Sequence, residues 1–270
     1  MTVSTDMIES VKKIKWSRAA LRVVSLGLLV APMMASAAGG GAALQHAGND
    51  VSDMASLQRG ARNFVNYCAG CHSAQYIRFS KLQEDLRLTE EQVTENLMFA
   101  VKKTDKMMEV AMPANDAERW FGQAPPDLTL VARSRGTDWV YSFLKSFYLD
   151  ASAPTGTNNL VLPNASMPHV LWELQGMQEA TFHDSEDGNG KTVTHFGDPA
   201  YFEHFEPVSE GKMTADEYDQ FVRDLVNFLD WAGTPEQLQR KTLGIWVILF
   251  LLVFLLFSWL LKKEIWKDIK

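Results

Sequence analysis

Cysteine is nearly absent, with two residues in a chain of 270. Two are too few for a disulfide scaffold, and without a third the usual cysteine-based zinc sites are excluded. Long alternation of apolar and polar residues is also missing, which leaves helices and loops as the expected building material. There is no internal repeat, and no low-complexity tract beyond 38–43. Disorder is excluded by a hydrophobic fraction of 46%. The length allows one or two domains.

What is present is unevenly distributed. The formal charge of −7 conceals two cationic ends. Residues 1–37 carry five Lys/Arg against two Asp/Glu, a net +3, and residues 240–270 carry six against two, a net +4. The stretch between them therefore holds −14.

Each cationic end flanks an apolar run. Lys12, Lys13, Lys15, Arg18 and Arg22 precede the run Val23 to Met34, and then comes Ala35-Ser36-Ala37. A charged start, a short apolar core and an A-x-A site predict a secretory signal peptide over 1–37, cleaved after Ala37. Near the other end, Leu243 to Leu261 gives 19 residues without a charge. As a helix it spans roughly 28 Å, close to the hydrocarbon thickness of a bilayer. Trp246 and Trp259 stand near its ends, where amphipathic rings favour the headgroup level. Lysines follow it, so export and charge bias both place 38–240 outside and the tail inside. The expected division is a signal at 1–37, an exported domain at 38–240, an anchor at 241–261 and a cytoplasmic tail at 262–270.

Within the exported domain four helices are predicted. Ser52 to Tyr67 carries an apolar stripe of Met54, Leu57, Ala61, Phe64 and Val65. Thr89 with Gln92 forms a capping box before Val93, Leu97, Met98 and Val101. Thr137 or Asp138 is expected to cap a third helix bearing Val140, Phe143, Leu144, Phe147 and Tyr148. Thr214 with Glu217 opens the fourth, which runs until Gly233 and Pro235 stop it. Thr192 to Thr194 reads as one short hairpin arm. The stretches 109–136 and 150–170 read as long loops. A domain so poor in regular structure is expected to pack around a large cofactor.

Cys68-Ala69-Gly70-Cys71-His72 names that cofactor. C-x-x-C-H is the attachment signal for c-type haem: two thiols bond the vinyl groups and the histidine reaches the iron. A thioredoxin-like pair would follow a strand, but here a helix precedes Cys68. A structural disulfide is the remaining rival in an exported chain. A second axial ligand is expected if the iron carries electrons, and methionine there raises the potential. Met98, Met107, Met108, Met112, Met167, Met177 and Met213 lie beyond the motif. Met112-Pro113 and Met167-Pro168 stand out in loops, His169 is a further candidate, and spacing leaves the choice open. His46, His183, His195 and His204 read as solvated surface residues.

These residues resemble the cytochrome c1 family, the haem subunit of the respiratory ubiquinol–cytochrome c oxidoreductase, in its proteobacterial form. The likeness rests on four segments in order: Tyr67 to His72, Ala124-Pro125-Pro126-Asp127-Leu128-Thr129 running to Gly136, Asn164-Ala165-Ser166-Met167-Pro168-His169, and Tyr218 to Trp231 with the anchor after it. The resemblance implies a mostly α c-type cytochrome domain with long loops around one haem c, plus a single C-terminal transmembrane helix. It places covalent attachment on Cys68 and Cys71, and the axial ligands on His72 and Met167. It sets an arginine against a haem propionate, with Arg135 a closer match than Arg133. Electrons would pass from the Rieske iron–sulfur protein to a soluble or anchored cytochrome c, with no bond-making site on this chain. Cytochrome b, membrane lipid and a dimeric complex complete the implied partners, and no nucleic acid is among them. The location implied is a bacterial inner membrane, with the haem domain in the periplasm.

The acidic stretch 183–210 is longer than in mitochondrial relatives, and no cysteine is left for the extra disulfide that some bacterial relatives carry. The −14 domain suits a basic partner, since opposite fields raise encounter rates. Two rival readings keep the haem but give it other work. One is the anchored subunit of a terminal oxidase or nitric oxide reductase, and the other is an open-site haem sensor or peroxidase.

Overall fold

Asp53, Thr89 and Thr214 each turn a side-chain oxygen onto a backbone amide of the first helical turn, and three helices start there. In the computed structural model, which describes residues 42–186 and 192–267, the elements run as follows. Helix α1 (Met54–Tyr67) leads into β1 (Ala74–Arg78), α2 (Phe79–Leu86) and α3 (Glu90–Asn96). Then come β2 (Met107–Met108), α4 (Ala114–Phe121), α5 (Val131–Arg135) and α6 (Thr137–Lys145). After β3 (Phe147–Leu149), β4 (Thr157–Asn159) and α7 (Trp172–Gln175), an arm forms from β5 (Gln178–Phe182), β6 (Ser185–Glu186), β7 (Thr192–Val193) and β8 (Phe202–Pro207). Helices α8 (Ala215–Gly233) and α9 (Gln237–Ile265) close the chain. The expected signal segment 1–37 and its cleavage site lie outside the described residues.

Helix is the main material and the strands are short, paired two by two and antiparallel. The core forms where α1 crosses α8. Gly60 makes that crossing possible: a Cβ there would sit 2.0 Å from the Asp224 carbonyl oxygen and 2.7 Å from the Phe228 Cβ. The close approach brings Phe64 and Phe228 to 5.4 Å between ring centres. Asp224 is buried in the same crossing, and its carboxylate accepts from Arg59 Nε at 2.6 Å and Ser56 Oγ at 2.7 Å. Asn227, one turn on, donates to the Asp50 carbonyl and to Ser56 Oγ. A buried carboxylate is tolerated here because its oxygens are fully engaged.

Both capping boxes form as the sequence predicts. Three expectations need correction. Helix α3 stops at Asn96, so Leu97 and Met98 turn into the core beyond its end rather than continuing a stripe to Val101. Neither Thr137 nor Asp138 caps α6; the N-cap is Gly136 at φ +95°, a conformation that glycine adopts without strain. Asp138 accepts instead from the Ala47 amide at 2.9 Å and from His46, tying the start of the domain to α6. Phe147 and Tyr148 leave the helix and enter β3. The expected loops are also less bare than they read: 109–136 contains α4 and α5, and 150–170 contains β4. Thr192–Val193 does form a hairpin arm, against Ser185–Glu186.

Helix α9 has 29 residues, about 43 Å at the usual rise, and is exposed along its length. It is long and apolar enough to cross a membrane. It begins before the expected anchor 241–261 and continues past it to Ile265. Lys263 lies over the Trp259 ring at 5.6 Å.

Candidate haem site

The motif Cys68–His72 forms a tight turn at the C-terminal end of α1. Cys68 N and Ala69 N both donate to the Phe64 carbonyl, and His72 N donates back to the Cys68 carbonyl at 2.8 Å. Both cysteines are free thiols that open onto one cavity of about 410 Å³. Burial, with Cys71 nearby, pushes the Cys68 thiol up to about 12, so it stays protonated.

His72 lines the same cavity. Its Nδ1 is 2.7 Å from the Pro126 carbonyl oxygen, which makes Nδ1 the protonated nitrogen and leaves Nε2 with its lone pair. Such a backbone bond orients a ligating histidine. Burial holds the ring below its ordinary range, against the opposing pull of the Pro126 bond. The Pro-Pro-Asp-Leu segment is itself pinned: Asp127 accepts from Gln75 N at 2.7 Å and Thr129 N at 2.9 Å, and Leu128 N donates to the Ser73 carbonyl. Sequence reasoning missed Asp127 as a functional residue. An acidic residue two before a threonine is the pattern of a side chain capping its own turn, and that signal was there to read.

A second wall comes from the chain between Leu162 and Val170, where Leu162, Ala165, Ser166, Met167, Pro168 and Val170 line the cavity. Trp139, Phe143 and Leu144 of α6 and Leu225 and Leu229 of α8 complete an apolar lining. Of the methionines weighed from sequence, Met167 alone lines this cavity. Met98 is buried in the core, and Met108 lines a smaller cavity behind the motif turn. Met107, Met112, Met177 and Met213 line neither.

His169 does not face the cavity. Its ring is buried and stacks on Phe147 at 5.1 Å, and no hydrogen-bond partner meets either nitrogen. Burial lowers it to about 4, so it is neutral. Among the other histidines, His46, His183 and His204 are exposed, but His195 is half-buried, stacked on Tyr201 and bonded to Ser185. Arg135 reaches the cavity and lies over the Trp139 ring at 5.2 Å, whereas Arg133 packs beside Gly233. Among the described residues, no three His, Cys, Asp or Glu side chains gather as a metal cluster.

The site therefore offers two thiols, one imidazole nitrogen and one thioether around an apolar slot, a donor set that fits haem. The Cytochrome C1 family matches residues 46–269. The chain belongs to the cytochrome c1 family. It is 46% identical over 247 residues to cytochrome c1 of Allochromatium vinosum, covering 92% of this chain and 98% of the relative. It is 41% identical to a protein of Nitrosomonas europaea named ammonia monooxygenase gamma subunit, with the same two coverages. Likeness extends to mitochondrial cytochrome c1 of Schizosaccharomyces pombe, 28% identical over 81% of this chain and 68% of that one. As a cytochrome c1, the protein is a haem c electron carrier of the respiratory chain, associated with the membrane in a cytochrome bc complex that contains cytochrome b.

Proposed function

We propose that this cytochrome c1 holds one haem by thioether bonds from Cys68 and Cys71, with His72 and Met167 as the axial ligands. It takes single electrons from the Rieske iron–sulfur protein and delivers them to a soluble or anchored cytochrome c. The observation that carries the reading is that Met167, remote in sequence from the motif, lines the same cavity as Cys68, Cys71 and His72. The haem supplies a one-electron couple; the chain supplies its surroundings. Pro126 fixes the tautomer of His72 through Nδ1, and the apolar walls exclude water. Arg135, steadied on Trp139, is the cation for a propionate.

The charge bias of the two ends and the apolar helix α9 support the following placement. The haem domain faces the periplasm, α9 crosses the inner membrane once, and the C-terminus is cytoplasmic. The exported stretch carries −14, which favours encounter with a basic cytochrome and weakens with salt.

Met167→Leu in the purified full-length protein tests the site. The expected result is loss of the methionine–iron absorption band and a lower midpoint potential, with covalent haem retained. A parent protein that lacks this band, with a potential that Met167→Leu leaves unchanged, would favour the open-site sensor or peroxidase reading. A band that survives the substitution would assign the ligand to another methionine. Co-purification with cytochrome b and a Rieske protein separates this reading from a terminal oxidase or nitric oxide reductase subunit.

A further inference from the structure

The Met167 wall has no regular structure between β4 and α7, yet it must keep a thioether within bonding distance of a fixed point. Two adjacent buried amides just before it make the necessary connections. Asn159 is fully buried; its Nδ2 donates to the Phe143 carbonyl at 2.8 Å, and its Oδ1 accepts from Val161 N at 2.9 Å and Leu162 N at 3.0 Å. Phe143 and Leu162 both line the cavity, so this one amide joins helix α6 to the loop that carries Met167.

Asn158 works one step further along. Its Oδ1 accepts from Asn164 N at 2.8 Å and from Asn159 N at 2.8 Å, and its Nδ2 donates to Asp150 Oδ2 at 2.8 Å. Asn164 stands three residues before Met167, at φ +61°, a left-handed conformation that asparagine accepts more readily than most residues. Asp150 is buried too, and its other oxygen is taken by Ser152. The amides thus meet loop backbone that no helix or sheet satisfies, and each unmet buried group would be costly.

We propose that Asn158 and Asn159, backed by Asp150, are positioning residues that set the Met167 loop against the cavity and so keep the sixth iron ligand in place. This rests on the reading of Met167 as that ligand. The chemistry suggests a swap. Asn158→Asp keeps the oxygen that accepts from Asn164 and Asn159 but faces the Asp150 carboxylate with a second one. Asp150→Asn together with Asn158→Asp reverses donor and acceptor and restores the bond with the same atoms in place.

The test uses full-length haem-loaded protein and reads the methionine–iron band, the midpoint potential and carbon monoxide binding to the reduced form. Asn158→Asp is expected to lose the band, lower the potential and admit carbon monoxide; the double swap is expected to recover all three. Asn227→Ala, which removes a fully buried amide from the α1–α8 crossing, is expected to lower stability while leaving the band in place. If Asn158→Asp does not accumulate, Asp150→Ala asks the same question by removing only the backing carboxylate. An unchanged band in these variants overturns the proposal, as does an Asn227→Ala variant that loses the band equally, or a swap that fails to restore it. If Met167→Leu keeps the band, the ligand reading fails first and takes this one with it. If Met167→Leu loses the band and Asn158→Asp keeps it, the positioning role alone is wrong.

Discussion

On the His72 side of the cavity, two thiols and an imidazole sit within five consecutive residues, on a turn that α1 leads into directly. On the Met167 side, one thioether is carried by irregular chain, tied by side-chain amides to elements that precede it. The first wall is a local device: backbone bonds inside the motif give it shape, and Pro126 only aims the ring. The second is a tertiary device that exists only once α6, β3 and β4 are in place. On the proposed reading, attachment needs only the first wall, and perturbations of the two walls are expected to give different spectra.

The largest effect should come from removing the local device. Cys68→Ala with Cys71→Ala leaves no thiol for attachment, and haem staining on a denaturing gel should disappear entirely. A retained stained band would mean that the motif is not the attachment site. Next is Gly60→Ala, which strikes the crossing of α1, which leads into the motif turn, with α8, which lines the cavity through Leu225 and Leu229. The added Cβ meets backbone oxygen at 2.0 Å, so the helices must separate. A cost of about 3 kcal/mol, the top of the usual overpacking range, is expected as a lowered thermal midpoint. A neutral outcome would show that the α1–α8 contact is looser than it stands here. Smaller again is Asp127→Ala, which frees the Gln75 and Thr129 amides at an expected cost of about 1–2 kcal/mol. It should shift the potential while the methionine band persists, the converse of the Asn158→Asp signature. Loss of the methionine band in Asp127→Ala would erase the distinction between the walls.

The same contrast explains what the sequence made legible. Capping boxes at Thr89 and Thr214, the α1 stripe and the haem motif are local patterns with fixed spacing, and each stands where its residues place it. Asp138 looked like a cap by its neighbourhood, but the Ala47 amide competes for it from the far start of the domain. The β5–β8 hairpin was not legible, because Gln178–Phe182 and Phe202–Pro207 show only partial alternation and are separated by another hairpin. Met167 and Met112 were equal by spacing, and only the fold distinguishes them: one lines the large cavity and the other does not. The tandem Asn158-Asn159 carries no periodic signal, since its partners are backbone groups brought near by β3 and α6.

The smallest predicted effect concerns neither wall directly, and so provides the baseline for both. Asp138 is held below the usual carboxylate range chiefly by the Ala47 amide, with the His46 ring adding to the effect and burial opposing it. A lowered folded-state value means that the contribution is fully present above the unfolded value of about 3.9 and is lost as pH falls through the folded one. Asp138→Asn keeps an oxygen for the Ala47 amide but removes the titrating charge. Thermal midpoints measured from about pH 5 down to pH 3 should therefore fall less steeply in Asp138→Asn than in the parent. Because the His46 side chain is 84% exposed and that of Asp138 42%, solvent screens the pair, so the difference should be small, and it should leave the methionine band untouched. An acid limb of identical slope would show that the tie from Ala47 and His46 to α6 does not contribute to the pH dependence. Loss of the band would show that α6 transmits strain from the domain's start to the Met167 loop, and the two walls would then not be independent.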